Sequence, residues 1–194
     1  MAHPSPTDSP RLHLASRSPR RRELLDQMGL CYRVVDVAID EATRVSESAH
    51  DYVLRVAHAK ATRAHAALPA DALVLAADTS VVLDGDILGK PDNAEHALRM
   101  LRSLAGKTHQ VMTGVALSAN TCTTCVSVST VRFRAIGDDE LRAYIATGEP
   151  LDKAGAYAIQ GRAAVFIEHL QGSYSGVMGL PIFEVAQLLE PYRL

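Results

Sequence analysis

The sequence predicts an α/β fold whose sheet is mixed and flanked by helices. Short apolar runs alternate with capped helical stretches through roughly the first hundred residues. Two long strand-like stretches then follow one another directly, which favours antiparallel pairing. The composition, 47% hydrophobic and 22% charged over 194 residues, is that of one globular domain.

Taken in order, Leu12 to Ala15 is a short apolar run that reads as a first strand. Ser18 offers an N-cap and Pro19 a first helical position, and Leu24, Leu25 and Met28 form an apolar stripe before Gly29 stops the helix. A second strand is expected over Tyr32 to Val37. Ser48 with Asp51 opens a second helix carrying Tyr52, Val53, Val56, Ala57 and Lys60. Leu73 to Ala77 reads as a buried strand that ends at Asp78 and Thr79. Val81 to Leu88 folds about the Asp84-Gly85 hairpin signal. Asp92 with Glu95 caps a third helix, which stops before Gly106. Long strands over Gln110 to Ser118 and Thr123 to Arg134 are joined near Asn120, and Asp138 caps a helix to Ala146. Gly155 to Gly179 reads as a glycine-punctuated β segment, and Pro181 to Leu189 as a last amphipathic helix.

Several classes are excluded. A net charge of -2 gives no polybasic attraction to nucleic acid or anionic lipid, and nine aromatic residues with no Trp leave little for base stacking. The longest stretch free of formal charge, Thr108 to Val131, carries nine Ser/Thr residues and is no membrane span. Residues 1–10 have no apolar segment of a signal peptide and read as a disordered leader, with a single domain over 11–194. Three cysteines fit a reducing cytoplasm, and the Cys122/Cys125 pair lacks the further ligands of a zinc site. The eight histidines show no metal-binding spacing.

The chemistry concentrates in Ser16-Arg17-Ser18-Pro19-Arg20-Arg21-Arg22. A helix N-terminus has unpartnered N–H groups and a partial positive charge, and acidic residues normally stand there. Arginines in their place, with two serine hydroxyls beside them, form a cradle for an anion such as phosphate. Asp78-Thr79 after a buried run is either a turn or a site where a carboxylate meets a ligand or divalent cation. Only four lysines accompany sixteen arginines; Lys60 lies on the second helix, while Lys90 and Lys153 stand in loops beside Gly, where an ammonium can reach a phosphate. Gln160, between Gly155 and Gly161, offers a donor and an acceptor together; it suits either a pyrimidine edge or a simple bend.

The blocks LASRSPRRRELL, AADTSVVLDGDILGKP, HQVMTGVAL, GEPLDKAGAYAIQG and GSYSGVMGLP, in this order over nearly the whole chain, resemble the Maf family of nucleoside triphosphate pyrophosphatases. The resemblance implies an elongated sheet with two lobes about a central cleft, similar to inosine triphosphate pyrophosphatases. It implies Asp78 as proton acceptor and Arg20, Thr79 and Gln160 as base-selecting residues. The D-K-A-G-A-Y-x-I-Q-G version is similar to the dTTP/UTP-cleaving subfamily. Arg17 departs from the small residue that many relatives carry.

The expected reaction joins both lines of reasoning. Ser16, Arg20, Arg21, Lys60, Lys90 and Lys153 hold the triphosphate together with Mg²⁺ or Mn²⁺, for which Asp78 and Glu41 are the candidate ligands. Asp78 orients or deprotonates a water that attacks the α-phosphorus. The expected partner is a small-molecule nucleotide, canonical or modified, with no nucleic acid and no membrane; a cytoplasmic homodimer is what relatives imply. The rival reading is a non-enzymatic nucleotide-binding regulator of cell division and septum formation.

Overall fold

The computed structural model describes residues 11–192, so the leader expected over 1–10 lies outside them. Strand β1 (Leu12–Leu14) is fully buried and lies parallel to both β2 (Tyr32–Val34) and β3 (Leu73–Leu83). Helix α1 (Pro19–Gln27) joins the first two strands and buries Leu24 and Leu25. Helix α2 (Ala49–His65) opens as expected, with Ser48 Oγ accepting the Asp51 N–H at 3.1 Å. Strand β4 (Asp86–Leu88) folds back on β3, and Asp84 and Gly85 both have positive φ, as a two-residue hairpin with the strands' twist requires.

After α3 (Ala94–Leu104), the long strands β5 (Thr108–Ser118) and β6 (Cys122–Phe133) pair antiparallel, and β5 also runs antiparallel to β3. Helix α4 (Asp138–Ile145) and three short 3-10 turns lead to β7 (Ile167–Gln171), then α5 (Tyr174–Met178) and α6 (Ile182–Leu189). The sheet order is β2-β1-β3-β5-β6-β7, with β4 on β3: a mixed sheet flanked by helices. No helix among the described residues is long and apolar enough to cross a membrane.

The core is divided along the long strands. Leu73, Leu75 and Ala77 of β3, with Val115 and Leu117 of β5, pack against α1 and α6. On the opposite face Val74, Ala76 and Ala116 meet Ala57, Ala61 and Ala64 of α2. Farther along, Val81, Leu83, Val111 and Phe133 belong to a separate cluster built with α3 and α4. The change of cluster along β3 falls between Ala77 and Val81, on the polar residues Asp78, Thr79 and Ser80.

The structure corrects the sequence reading at several places. The strand expected to stop at Ala77 continues to Leu83, because β5 pairs with it from Val74 to Val82 and makes the polar residues part of the ladder. Ser18 occupies the N-cap, but its side chain caps nothing; instead its N–H donates to Ser16 Oγ at 3.2 Å. Asn93, not Asp92, caps α3, and Gly137, not Asp138, precedes α4. Strand β2 ends at Val34 rather than Val37.

The segment over Gly155 to Gly179 holds only one strand, β7. Left-handed φ values at Gly155 and Ala156 break any earlier strand into 3-10 turns. Cys122 and Cys125 pack into clusters on opposite faces of the sheet, so they do not form a dithiol pair.

Candidate active site

Strand β3 has a gap along one edge. Strand β1 pairs with it up to Leu75, and β4 joins only at Val81. Between these points the edge opens on a cavity of about 570 Å³. Consecutive residues of a strand point to opposite faces, yet both Asp78 and Thr79 line this space because no neighbouring strand closes it.

Asp78 is buried and held from α2. Lys60 Nζ donates to Asp78 Oδ1 at 2.8 Å and lies 2.8 Å from Glu41 Oε1 as well. The Lys60 and Asp78 side chains are each 12% exposed and Glu41 is 52% exposed, so Glu41 forms the outer side of the trio. Asp78 Oδ2 has no hydrogen-bond partner among the described residues, and it is the oxygen free to meet a water. The loop bearing Glu41 is itself fixed from α2. Tyr52 donates to the Glu41 carbonyl at 3.0 Å, Arg55 donates to the Ala42 carbonyl at 2.9 Å, and Arg55 pairs with Glu47. Burial pushes the Tyr52 hydroxyl up to about 12, with Asp78 and Glu41 adding to the effect.

On the other side of the strand, Arg21 reaches into the interior from the first turns of α1. Its Nε donates to the Gly179 carbonyl at 2.8 Å, Nη1 to Ser16 Oγ at 3.1 Å and Nη2 to Thr79 Oγ1 at 3.3 Å. Thr79 Oγ1 lies 2.9 Å from Thr113 Oγ1, which donates to the Gly176 carbonyl at 2.8 Å. Burial lowers the pKa of Arg21, while the Asp78 charge works in the opposite direction. Of five guanidinium N–H groups, three are committed to the protein and two remain for a ligand.

The residues expected to hold substrate, metal or the attacking water all line this one cavity: Ser16, Arg20, Arg21, Glu41, Lys60, Asp78, Thr79, Lys90, Lys153 and Gln160. Arg22, the third arginine of the run, is exposed and outside it. Lys90 and Gln160 are exposed at the rim, and Arg20 is half-buried.

Among the polar lining residues, Asp36, Tyr52, Ser80 and Asp152 had no separate signal in the sequence. Asp152 pairs with Lys153. Burial raises its pKa, but the Lys153 hydrogen bond and the charges of Lys153 and Arg20 outweigh that and hold it below its ordinary value. Its place beside Lys153 in the G-E-P-L-D-K block was the available clue.

Six cationic side chains and four carboxylates line the cavity, so it favours an anion although the chain as a whole is negative. Val81, Val111, Tyr157 and Ile159 add an apolar wall that suits the flat face of a base. Among the described residues no group of three His, Cys, Asp or Glu side chains gathers as a metal site. The carboxylates of Asp78 and Glu41 converge on the Lys60 ammonium and are oxygen donors of the kind a hard divalent cation takes.

Comparison with known proteins agrees with this architecture. The chain is 57% identical over 180 residues to the dTTP/UTP pyrophosphatase of Methylococcus capsulatus, covering 92% of this chain and 89% of that protein. It is 50% identical over 183 residues to the dTTP/UTP pyrophosphatase of Salmonella typhimurium, covering 94% and 93%. Among solved structures, the Staphylococcus aureus Ham1 protein aligns with a TM-score of 0.52 at 16% identity, over 94% of this chain and 99% of that one, which shows a common fold. Residues 11–192, all of the described chain, match the family described as Maf-like protein, and with relatives this similar the chain belongs to that family.

Proposed function

We propose that the protein hydrolyses nucleoside triphosphates, dTTP and UTP foremost, to the monophosphate and pyrophosphate. The observation that carries this reading is the Asp78 carboxylate, fixed through one oxygen by Lys60 in a cavity edged with cationic side chains. The names borne by relatives at 50% identity and above support the same substrates.

In this reading Ser16, Arg20, Arg21, Lys60, Lys90 and Lys153 bind the triphosphate. Arg21 uses its two remaining N–H groups and Lys60 its third donor. Arg20, Thr79 and Gln160 select the base, against the apolar wall. Asp78 Oδ2 accepts a proton from a water aligned with the α-phosphorus. The water oxygen bonds to that phosphorus as the bond to the bridging oxygen breaks, and pyrophosphate leaves. Asp78 and Glu41 are the residues that would hold Mg²⁺ or Mn²⁺. When bound, the ion supplies charge neutralisation on the phosphate oxygens.

A cytoplasmic, nucleotide-pool cleaning role is the setting we infer, with modified pyrimidine triphosphates among the substrates. A homodimer is the proposed assembly. Alternation along β6 turns the backbone groups of Thr124, Val126 and Val128 out of an edge that β7 meets only from Thr130 onward. This stretch carries no charge to repel a second copy.

The test is a panel of natural and modified triphosphates incubated with Mn²⁺ or Mg²⁺, with products identified. Formation of dTMP and UMP with pyrophosphate is the expected result. Binding without hydrolysis would instead favour the regulatory reading.

A further inference from the structure

We propose that Glu149 is a positioning residue for base selection, acting through Gln160. The proposal rests on the reading above that Gln160 meets the base, and it gives a task to a carboxylate outside the cavity lining.

Gln160 is exposed, and its amide has no hydrogen-bond partner among the described residues, so its placement depends on its backbone. That backbone is a tight turn: Gly161 N–H donates to the Ala158 carbonyl at 3.0 Å, and Arg162 begins a 3-10 turn over Arg162–Phe166. The first N–H of that turn, from Arg162, donates to Glu149 Oε2 at 3.1 Å. The other carboxylate oxygen, Oε1, accepts the Tyr144 hydroxyl at 2.8 Å. Tyr144 is buried in α4 and meets Phe166 edge to face at 5.3 Å, so this hydrogen bond ties Glu149 to the core of the second cluster.

The carboxylate also packs against Gly161. A Cβ on Gly161 would stand 2.5 Å from the Glu149 carboxyl carbon, so a side chain at 161 would make the carboxylate swing away from its two hydrogen bonds. Glu149 therefore meets the residues on the C-terminal side of Gln160 twice, through the Arg162 N–H and against the Gly161 α-carbon. Loss of the carboxylate leaves a helix-end donor without its acceptor and frees the turn that presents the Gln160 amide. The cost falls on recognition of the base, because Asp78 and Lys60 are held by different elements.

The test compares kcat and KM on dTTP and dGTP for the wild type, Glu149→Ala, Glu149→Gln, Gln160→Ala and the Glu149→Ala/Gln160→Ala double variant. Glu149→Ala is expected to raise KM for dTTP roughly tenfold, with a smaller change in kcat, and to lower the preference for dTTP over dGTP by a similar factor. Glu149→Gln keeps an oxygen for the Arg162 N–H and should recover most of the preference. In the Gln160→Ala background, removing Glu149 should add little, because the two act as one unit.

Equal loss of kcat on both nucleotides, or fully additive losses in the double variant, would overturn the proposal. If Glu149→Ala does not fold, Tyr144→Phe removes one donor alone and is judged by the same criterion. Should Gln160→Ala leave base preference intact, the base-reading role of Gln160 fails and this proposal with it. Should it shift preference while neither Glu149→Ala nor Tyr144→Phe does, only the role of Glu149 fails.

Discussion

Gly114 of β5 lies directly opposite Asp78 of β3, on the face of the sheet that α2 covers. A Cβ at Gly114 would stand 2.6 Å from the Val53 carbonyl carbon, so the helix backbone rests where a side chain would be. Two helical turns farther on, the same face of α2 carries Lys60 to Asp78. The missing side chain at 114 thus sets the depth from which the lysine reaches the carboxylate.

Gly114→Ala should therefore act at a distance of several residues. The obstacle is backbone, which cannot turn aside as a side chain can, so α2 must lift. We expect a loss of stability of about 1–3 kcal/mol, the usual range for overpacking. Turnover should drop with it as Lys60 withdraws from Asp78. Urea unfolding with parallel assays of pyrophosphate release checks both effects, and an alanine variant with wild-type turnover would contradict the coupling.

Asp78→Asn should separate chemistry from structure. An asparagine carbonyl oxygen can still accept from Lys60, so the fold and nucleotide binding should persist, whereas the proton acceptor is gone. Turnover at saturating dTTP should fall by roughly a hundredfold to ten-thousandfold. Retention of near-normal turnover would remove Asp78 from the role of proton acceptor.

His109 predicts a pH effect on stability. It is buried beside Tyr157 and Phe133, its Nε2 2.8 Å from the Tyr157 hydroxyl and its Nδ1 without a partner among the described residues. Burial lowers its pKa from 6.5 to about 4. Between those values the unfolded chain binds a proton that the folded chain refuses, so stability rises with pH through that window. From pH 6.5 down to pH 4 this group should cost the fold up to a few kcal/mol. His109→Gln, which cannot titrate, should show a shallower slope in unfolding free energy than the wild type over the same range; equal slopes would contradict the assignment.

Local signals in the sequence were legible where the physics is local. The Ser48 cap and the Asp84-Gly85 turn depend on neighbours within a few residues, and both are present as read. The arginine run identified the right stretch of chain, but the inward turn of Arg21 and the outward turn of Arg22 follow from how α1 rolls on the sheet.

In the sequence Asp78 reads as a strand end, because a charged residue after an apolar run normally leaves a buried sheet. Pairing with β5 and the ammonium of Lys60 keep it inside, and both partners come from other elements. The segment after Gly155 departs from expectation for a comparable reason: its glycine-punctuated apolar runs suit strands, while the left-handed backbone at Gly155 and Ala156 allows none before β7. Asp152 gave no signal of its own, since it reaches the cavity only as the exposed end of the 3-10 turn over Glu149–Asp152.

The interrupted pairing of β3 gives adjacent residues separable duties. In an unbroken ladder, Asp78 and Thr79 would belong to two compartments and could not address one molecule. Here Asp78 enters the cavity from the α2 side, held by Lys60, and Thr79 from the α1 side, held by Arg21. On the function proposed above, a change in cleavage rate and a change in base choice would then arise one residue apart.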